Sequence, residues 1–463
     1  MEIVRLVEQK ILSTVEEIIK ILEGEVEYTI FERQLKKELD SLGIDLIKEV
    51  LKALEHKIYH SAERKRLWKV VRKNDEKTLL TPFGQLEYER TYYRHKETKE
   101  YAYLVDEKAG ITPHLQVSTT VKAELAENVT QVSYEKAVQQ LSRYNPELRV
   151  SKQTAGACVK AFQTKPLQPP EQKRRVEVLY IEADEDHLRV RGKKGSQARL
   201  IYIHEGVADS PRRHLKKVRH FTTVTKDTIE FWLEVCDYID AYYDLEKLKE
   251  IYLSGDGAHW IRVGQEYIPG VTFILDKFHL ARSILRATAH APELKGRIYK
   301  DIRLLNKQGV MSHLREALSL AQEGARRKRV MQTITYIRNN WEGIEAAVKH
   351  PHVTCSAEGH VSHVLASRMS GRPMVWSVQG AENMAAMRAV QANNESVSEH
   401  YLATCAKKPP LIVELKKEVK EALKHLCKRK LLGQENIGNI PVFQSANNFT
   451  RMALKGLNAK TAI

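Results

Sequence analysis

The sequence of 463 residues lacks the features that mark several specialised classes of protein. Its five cysteines, Cys158, Cys236, Cys355, Cys405 and Cys427, are an odd number at wide, irregular spacings. This pattern excludes a disulfide framework and favours a reducing compartment. No run approaches the roughly 18 uninterrupted apolar residues of a membrane span, and MEIVRLVEQK does not have the layout of a signal peptide. We therefore expect a soluble cytoplasmic protein.

Acidic residues are scarce relative to basic ones. The chain has 75 Lys and Arg against 59 Asp and Glu, which gives a net charge of +16 and a pI near 9.4. Such a surplus attracts polyanions, and nucleic acid gains most because its binding releases counterions. Hydrophobic residues make up 42% of the sequence, enough for folded cores and too many for a disordered chain. The length predicts about three domains.

The N-terminal region is predicted to be mostly helical. Residues 1–60 repeat apolar side chains at three- and four-residue steps, which is typical of amphipathic helices. The basic run 64–73 fits either a solvated helix face or a phosphate-contacting surface. Residues 78–106 change to period two around the polar turn KETKE, which predicts a β-hairpin that carries tyrosines and basic residues.

Two short helices after this hairpin suggest a DNA-reading motif. Ser133 and Ser151 each stand where they can cap an amphipathic helix, and a turn through Asn145-Pro146 separates the two helices. The pair predicts a helix-turn-helix, with an ordinary helical hairpin as the alternative. We expect its second helix to present Lys152, Gln153 and Lys160 to DNA.

Clustered prolines at Pro166, Pro169 and Pro170 predict a linker. After it, the sequence pattern predicts alternating strands and helices, typical of an α/β domain. Three strand-like runs (VEVLYIEAD, ARLIYIHEGV and KKVRHFTTV) precede a helix, and LKEIYLSGD, VTFILD and a further helix follow. This order predicts a ribonuclease H-like core, an α/β fold built on a mixed five-stranded sheet. A purely helical insertion should follow it, and a mostly helical DNA-binding region with a β-hairpin should precede it.

The predicted organisation has six parts. They are an N-terminal helical region with the hairpin (1–115), a helix-turn-helix (116–165), the first part of the catalytic core (174–292), a helical insertion (293–350), the last part of the core (351–378) and a basic C-terminal region (379–463). The last part is expected to contain a basic helix around Lys416 to Lys430, which would add affinity for DNA of any sequence.

Carboxylates at strand ends stand out in so basic a chain. Glu182, Asp184 and Asp186 share one face of the first strand of the predicted core, and Asp256 follows its fourth strand in SGDGAHW. Because those strands are neighbours in a ribonuclease H-like sheet, Asp184 is expected beside Asp256. Adjacent carboxylates repel unless a cation joins them, and hard oxygen ligands favour Mg²⁺, or Mn²⁺ as a substitute. Two such ions about 4 Å apart can drive phosphodiester cleavage.

A third acid should complete the ligand set. Glu358 is preferred, because Arg368 and Arg372 behind it suit phosphate contact. The rival is Glu382, another acid near a helix start.

The motif LDKFHL supplies two further polar groups, Asp276 and His279. They can position DNA, orient a metal ligand, or merely cap the core. His352, Cys355, His360 and His363 resemble a zinc motif only loosely, since they lie across a helix start with a single thiolate.

Four segments in order carry a family resemblance: YIEADEDH, SGDGAHWI, DKFHLAR and CSAEGHVSHVLASRMSGRPMVWS. Together they resemble the ISLre-type bacterial insertion-sequence transposases, relatives of the mutator-like transposases, over nearly the whole chain. The resemblance implies that Asp184, Asp256 and Glu358 form a DDE triad, supported by Asp276 and His279. Mutator relatives usually have glycine after the first aspartate, whereas Glu185 stands here. Asp186 therefore remains an alternative to Asp184.

The resemblance implies a DNA transposase that acts in the bacterial cytoplasm. It would bind terminal inverted repeats and carry out Mg²⁺-dependent strand cleavage and strand transfer on double-stranded DNA. Because joining needs two DNA ends at once, a homodimer or larger assembly is expected. The alternatives are a non-catalytic DNA-binding regulator derived from a transposase and a ribonuclease H-like nuclease that cuts without joining.

Overall fold

Two long helices open the chain in the computed structural model, which describes residues 2–24, 27–210, 212–322 and 324–405. Helices α1 (Glu2–Leu22) and α2 (Tyr28–His60) are followed by the short α3 (Ala62–Leu67). The helical prediction for 1–60 is thereby confirmed. The apolar face of α2 packs on the strands that follow through Leu51, Leu54 and Ile58.

A three-stranded antiparallel sheet follows, made of β1 (Trp68–Thr81), β2 (Gly84–His95) and β3 (Tyr101–Ala102), and α4 (Leu104–Ala109) completes this part. The hairpin across KETKE is confirmed as the β2–β3 pair. The sequence prediction missed β1. Because α3 ends at Leu67 and β1 begins at Trp68, the basic run 64–73 lies across both elements and not on one helix face. Two register shifts and the positive φ of Asn74 (56°) interrupt β1, which hides its period-two pattern.

The predicted pair of capped helices is present. It consists of α6 (Tyr134–Tyr144) and α7 (Lys152–Ala161), preceded by α5 (Thr119–Val129). The hydroxyl of Ser133 accepts from the Lys136 amide at 3.3 Å, and that of Ser151 accepts from the Thr154 amide at 3.2 Å. Each bond satisfies a helix N-terminal amide that has no partner within the helix. The proline segment after α7 is exposed and lacks regular secondary structure.

A five-stranded mixed sheet forms the centre of the protein. Its order is β10-β9-β4-β5-β8, with β4, β5 and β8 antiparallel and β9 and β10 parallel to β4. The predicted strand order, three antiparallel strands and then two parallel ones, is confirmed. The strands and their connections are β4 (Val178–Val190), β5 (Lys193–His204), β6 (Val207–Ala208), β7 (His214–Leu215), β8 (Arg219–Thr223), α8 (Thr228–Tyr242), β9 (Glu250–Gly255), α9 (His259–Arg262), α10 (Gly264–Tyr267), β10 (Val271–Leu275) and α11 (Lys277–Ala287).

Helices make up the rest of the described chain. The predicted helical stretch 293–350 is confirmed as α12 (Pro292–Arg303), α13 (Lys307–Leu320), α14 (Ala325–Asn339) and α15 (Trp341–Lys349). The helix predicted over 358–369 is interrupted, because α16 (Ala357–Val361) and α17 (Ser367–Met369) flank a π-helical turn, Ser362–Ala366. Helices α18 (Val378–Ala392) and α19 (Val397–Cys405) follow. The predicted basic helix around Lys416 to Lys430 lies outside the described residues.

Successive side chains of the central strands point to opposite faces of the sheet and contribute to two hydrophobic cores. Ile201 and Ile203 of β5 join one core with α8, α11 and the helices α12 to α15. Leu200 and Tyr202 join the opposite core, which contains residues of α5, α6, α7 and α18. The predicted helix-turn-helix therefore packs on one face of the sheet and the helical insertion on the other. Among the described helices, none has the length and apolar character needed to cross a bilayer.

Candidate metal centre

Three acidic residues lie on neighbouring strands of the central sheet, Asp184 within β4, Asp256 just after β9 and Asp276 just after β10. The parallel pairing places Glu182 of β4 opposite Ser254 of β9, and Asp184 and Asp256 each lie two residues farther along. Asp276 directly follows β10, and its amide donates to the Gly255 carbonyl at 2.8 Å. The predicted neighbourhood of β4 and β9 is thus confirmed, and the parallel register of these two strands brings Asp184 near Asp256.

The described chain brings Asp184, His279 and Glu358 into one group. One ligand atom from each lies within 4.8 Å of the other two. His279 lies in the first turn of α11, where its Nδ1 is 2.7 Å from Asp276 Oδ2. Because Nδ1 must carry the hydrogen to donate to this carboxylate, Nε2 is left to act as a ligand. His279 Nε2 lies 3.8 Å from Glu358 Oε2.

The helix that carries Glu358 is attached to β4 through a buried carboxylate. Glu182 is 2% exposed and accepts from the backbone amide and the hydroxyl of Ser356, just before α16. It also accepts from the Tyr202 hydroxyl and lies 3.0 Å from His204 Nε2. Burial acts to raise the pKa of Glu182, but the bonds from His204 and Tyr202 together outweigh it and lower this pKa. Strand β4 therefore supplies Asp184 and also positions Glu358.

Electrostatics at the site reflect burial and crowded negative charge. Burial raises the pKa of Asp184 to about 7, with further increases from the nearby carboxylates of Asp256 and Glu185. The bond to Asp276 raises the pKa of His279, with smaller contributions from Asp184 and Asp256. Negative charge is thus concentrated where a cation would relieve the repulsion.

Asp256 stands beside this group with its side chain turned to its own loop. Its Oδ1 accepts from the Ala258 amide at 2.8 Å, and its backbone carbonyl accepts from the Tyr336 hydroxyl at 2.8 Å. The preceding strand ends in a tight turn, where Gly257 has a φ of +87°. A Cβ at Gly257 would lie 2.4 Å from Asn340 Oδ1, so the turn requires glycine. The geometry joins Asp184, Glu358 and His279 directly, with Asp256 as their neighbour.

The two rival acids have other surroundings. Asp186 is not part of the ligand group in the described chain; burial raises its pKa, and its Oδ2 is buried without a described partner. Glu382 accepts from the Thr223 hydroxyl at 3.0 Å and from the Thr225 amide at 2.8 Å, so it holds the end of β8. These contacts favour Asp184 over Asp186 and Glu358 over Glu382.

The basic residues expected at DNA fall into two groups. Arg368 is 7% exposed, donates to the Val129 carbonyl at 2.8 Å and lies over Trp376, so protein contacts hold most of its side chain, although it also lines the groove beside α7. The reason is its position on the inner side of α17, against α5. Arg372 is exposed. The side chains of Lys152, Gln153 and Lys160 are also exposed and line one groove of α7.

The loose zinc pattern is not gathered into a ligand group within the described residues. His360 Nδ1 lies 2.9 Å from His220 Nε2, and its ring stacks on Tyr202. His352 and His363 are exposed.

Sequence reasoning did not find the network around Glu182 or assign its members a role. Tyr202 and His204 lie on β5, and Ser356 is 174 positions from Glu182. The available signal was an acid inside a buried strand, which requires hydrogen-bond partners. Which residues bond to Glu182 depends on the register between β4 and β5 and on the path of the distant loop that carries Ser356.

Comparison with known proteins gives a family match over most of the chain. The sequence model of an uncharacterised protein family, UPF0236, matches residues 22–402. The chain belongs to UPF0236. One similar UPF0236 protein, from Caldanaerobacter subterraneus subsp. tengcongensis, is 35% identical over 429 residues, covering 91% of this chain and 90% of that protein. Its name joins eleven loci of that organism.

Two further UPF0236 proteins of the same organism are similar along nearly their whole length. One is 35% identical over 445 residues, which is 94% of each chain. The other is 34% identical over 445 residues, covering 94% of this chain and 93% of its own, and its name joins four loci. UPF0236 proteins thus occur in many copies in one genome.

Proposed function

We propose that this protein is the DNA transposase of an insertion sequence, built on a ribonuclease H-like core. In this proposal it binds the terminal inverted repeats of its element and performs Mg²⁺-dependent strand cleavage and strand transfer. The observation that carries the proposal is the convergence of Asp184, Glu358 and His279 at one sheet edge, beside Asp256. The multicopy occurrence of similar UPF0236 proteins supports it independently, because mobile elements multiply within a genome.

The donor set fits a divalent cation. Carboxylate oxygens from Asp184 and Glu358 and one imidazole nitrogen lie within 4.8 Å of each other, and such hard ligands suit Mg²⁺ or Mn²⁺. Asp184 is 8% exposed, so its ionised form needs a compensating charge. When bound, a divalent cation supplies positive charge that stabilises a phosphodiester undergoing displacement.

The remaining groups of the site orient these ligands. Asp276 fixes the ring of His279, and Glu182 fixes the start of α16 and so Glu358. Tyr336 holds the peptide of Asp256 through its hydroxyl. In the proposed reaction, Asp184, Asp256 and Glu358 hold the cations, and the exposed face of α7 contacts DNA through Lys152, Gln153 and Lys160.

The test is a cleavage assay on DNA that carries the ends of the element encoding this chain. Purified protein is incubated with labelled end duplexes and Mg²⁺, and nicked products are resolved on denaturing gels. We expect Asp184→Asn, Asp256→Asn and Glu358→Gln each to reduce the cleavage rate by at least about 100-fold, since each removes a proposed cation ligand. The matched control is Asp209→Asn, an exposed acid distant in sequence from the three, which should cleave normally.

Three outcomes would contradict the assignment. Cleavage that persists in all three variants would place the activity elsewhere. Absence of cleavage by the unaltered protein, together with retained end binding, would favour a DNA-binding regulator. Supplying an end already cut at its 3′ hydroxyl tests joining: failure to integrate this end into target DNA would favour a nuclease that only cuts.

A further inference from the structure

A basic cavity opens directly beside the acidic group. It has a volume of about 640 Å³, and its walls come mainly from α11 and α14. Asp256 and His279 form the wall shared with the acidic group. A ligand in this cavity therefore lies next to the proposed scissile bond.

Three arginines line this cavity: Arg282 and Arg286 on α11 and Arg329 on α14. All three are exposed, and none forms an ion pair with an acidic residue in the described part of the chain. Like charges at close range repel unless an anion lies between them. Arginine presents a planar fork of donors that matches phosphate oxygens, so the arrangement favours a phosphate-bearing ligand.

The rest of the cavity is polar with one aromatic wall. The hydroxyls of Ser283 and Thr333 lie 3.1 Å apart and join α11 to α14 across the floor. The ring of Tyr336 forms part of the wall, and its hydroxyl is fixed on the Asp256 carbonyl. A fixed aromatic ring beside a positively charged groove is the combination that binds unpaired bases.

A second groove continues away from the acidic group along α14. It is lined by Arg327, Lys328 and Met331, and shares Tyr336 and Gln332 with the cavity. The two spaces thus form one basic path that starts at Asp256 and follows α14. We call this path, from Arg282, Arg286 and Arg329 to Arg327 and Lys328, the arginine cleft.

We infer that the arginine cleft binds a single DNA strand as it leaves the acidic group, an inference that rests on the proposed function. Arg282, Arg286 and Arg329 hold its phosphates, and an unpaired base packs on Tyr336. A cavity of about 640 Å³ is in the range of volumes that small ligands fill, so it is large enough for a nucleotide unit.

The test measures strand affinity without chemistry. A fluorescent oligothymidylate of about ten nucleotides is titrated with full-length protein in EDTA, and anisotropy gives the Kd. The cleft variant is Arg286→Glu with Arg329→Glu. The matched control is Lys295→Glu with Arg297→Glu, which makes the same change of net charge at exposed positions of α12.

We expect the cleft variant to raise the Kd at least about tenfold and to flatten the dependence of log Kd on log salt by about 1.4, since each lost single-strand phosphate contact removes about 0.7. The control should change the Kd less than about twofold. Equal losses in both variants would mean that only net charge matters, and no loss in either would mean that the strand binds elsewhere; both results overturn the inference.

Two further arms separate sources of phosphate and separate this inference from the proposed function. If inorganic tripolyphosphate displaces the oligonucleotide at matched phosphate concentration, the cleft takes free polyphosphate and the inference is wrong. Asp184→Asn should abolish cleavage and leave strand affinity intact. A protein that never cleaves DNA can therefore still bind a strand in the cleft, and one that cleaves can fail to bind it there.

Discussion

Replacing Glu182 tests whether a residue outside the ligand group positions the metal site. Its carboxylate is 2% exposed and accepts from Tyr202, from His204 and from Ser356. Glu182→Ala removes the acceptor of His204 Nε2 and of the Ser356 amide, while the hydroxyls of Tyr202 and Ser356, 2.9 Å apart, can still bond to each other. Each unsatisfied buried donor costs about 1–3 kcal/mol, and removing one partner of a buried charged pair typically costs about 3–5 kcal/mol. We expect the free energy of unfolding to fall by about 3–5 kcal/mol.

The functional effect should exceed what lost stability explains. Without Glu182, the start of α16 loses its attachment to β4, so Glu358 is no longer held near Asp184. Loss of a residue that orients a ligand typically weakens metal binding by about 10–100-fold. Mn²⁺ affinity, measured by titration calorimetry at pH 7.5, should therefore fall by at least about tenfold. Urea unfolding followed by circular dichroism gives the stability.

The control for this experiment is Leu314→Ala, a fully buried residue of α13 on the opposite side of the sheet. This truncation typically costs about 2–5 kcal/mol, so the two variants should have similar stability. Leu314→Ala should keep the Mn²⁺ affinity of the unaltered protein. If Glu182→Ala binds Mn²⁺ as tightly as Leu314→Ala at equal stability, Glu182 has no positioning role and the reasoning fails.

Two other predictions concern stability away from the ligands. Asp106 accepts from Lys77 at 3.1 Å and from Arg90 at 2.6 Å in the hairpin region, so Asp106→Ala leaves the buried Lys77 and the partly buried Arg90 without their acidic partner. The variant should lower the free energy of unfolding by about 3–5 kcal/mol, and an unchanged urea midpoint would rule this out. Burial, with a smaller effect of His360, lowers the pKa of His220 to about 4. In the unfolded chain His220 takes up a proton near pH 6.5, whereas in the folded chain it does not. Its contribution to the free energy of unfolding should therefore fall by about 1.4 kcal/mol from pH 7.5 to 5.5, while the raised pKa of Asp184 acts in the opposite direction. The unfolding free energy of the unaltered protein, relative to that of His220→Gln, should fall by this amount over the same range, and an equal pH dependence in both proteins would contradict the assignment.

Local sequence signals were sufficient for most of the secondary structure. The central strands carry apolar runs, and hydroxyl caps at Ser133 and Ser151 mark two helix starts. Such signals depend on neighbouring residues alone. The prediction missed β1 because its outer face is charged and its register shifts twice. The sequence of this edge strand therefore lacks the alternation of apolar and polar residues that predicts a strand. It also missed the π-helical turn after α16, because the spacing of apolar residues does not distinguish such a turn from an α-helix.

The site was only partly accessible to sequence reasoning. The sequence predicted that Asp184 and Asp256 lie beside each other on neighbouring strands, and the β4–β9 pairing agrees with this prediction. His279 was expected in a supporting role, yet its ring nitrogen lies in the ligand group with Asp184 and Glu358. Arg368 was expected on DNA, yet it is buried against α5. In both cases the residue type indicated a polar role, but the sequence did not show where the side chain points. The orientation of a side chain depends on packing between elements that are distant in sequence.

The sequence by itself determined the class of protein: a basic chain with folded cores, a predictable order of strands and helices, and acids placed on or just after the central strands. Tertiary structure alone decided which side chains share a site. The parallel register of β4 and β9 sets the positions of Asp184 and Asp256, and a buried carboxylate, Glu182, joins β4 to the helix of Glu358 across 174 positions. Local propensity acts over a few residues, whereas ligand distances are set by strand register and long-range hydrogen bonds.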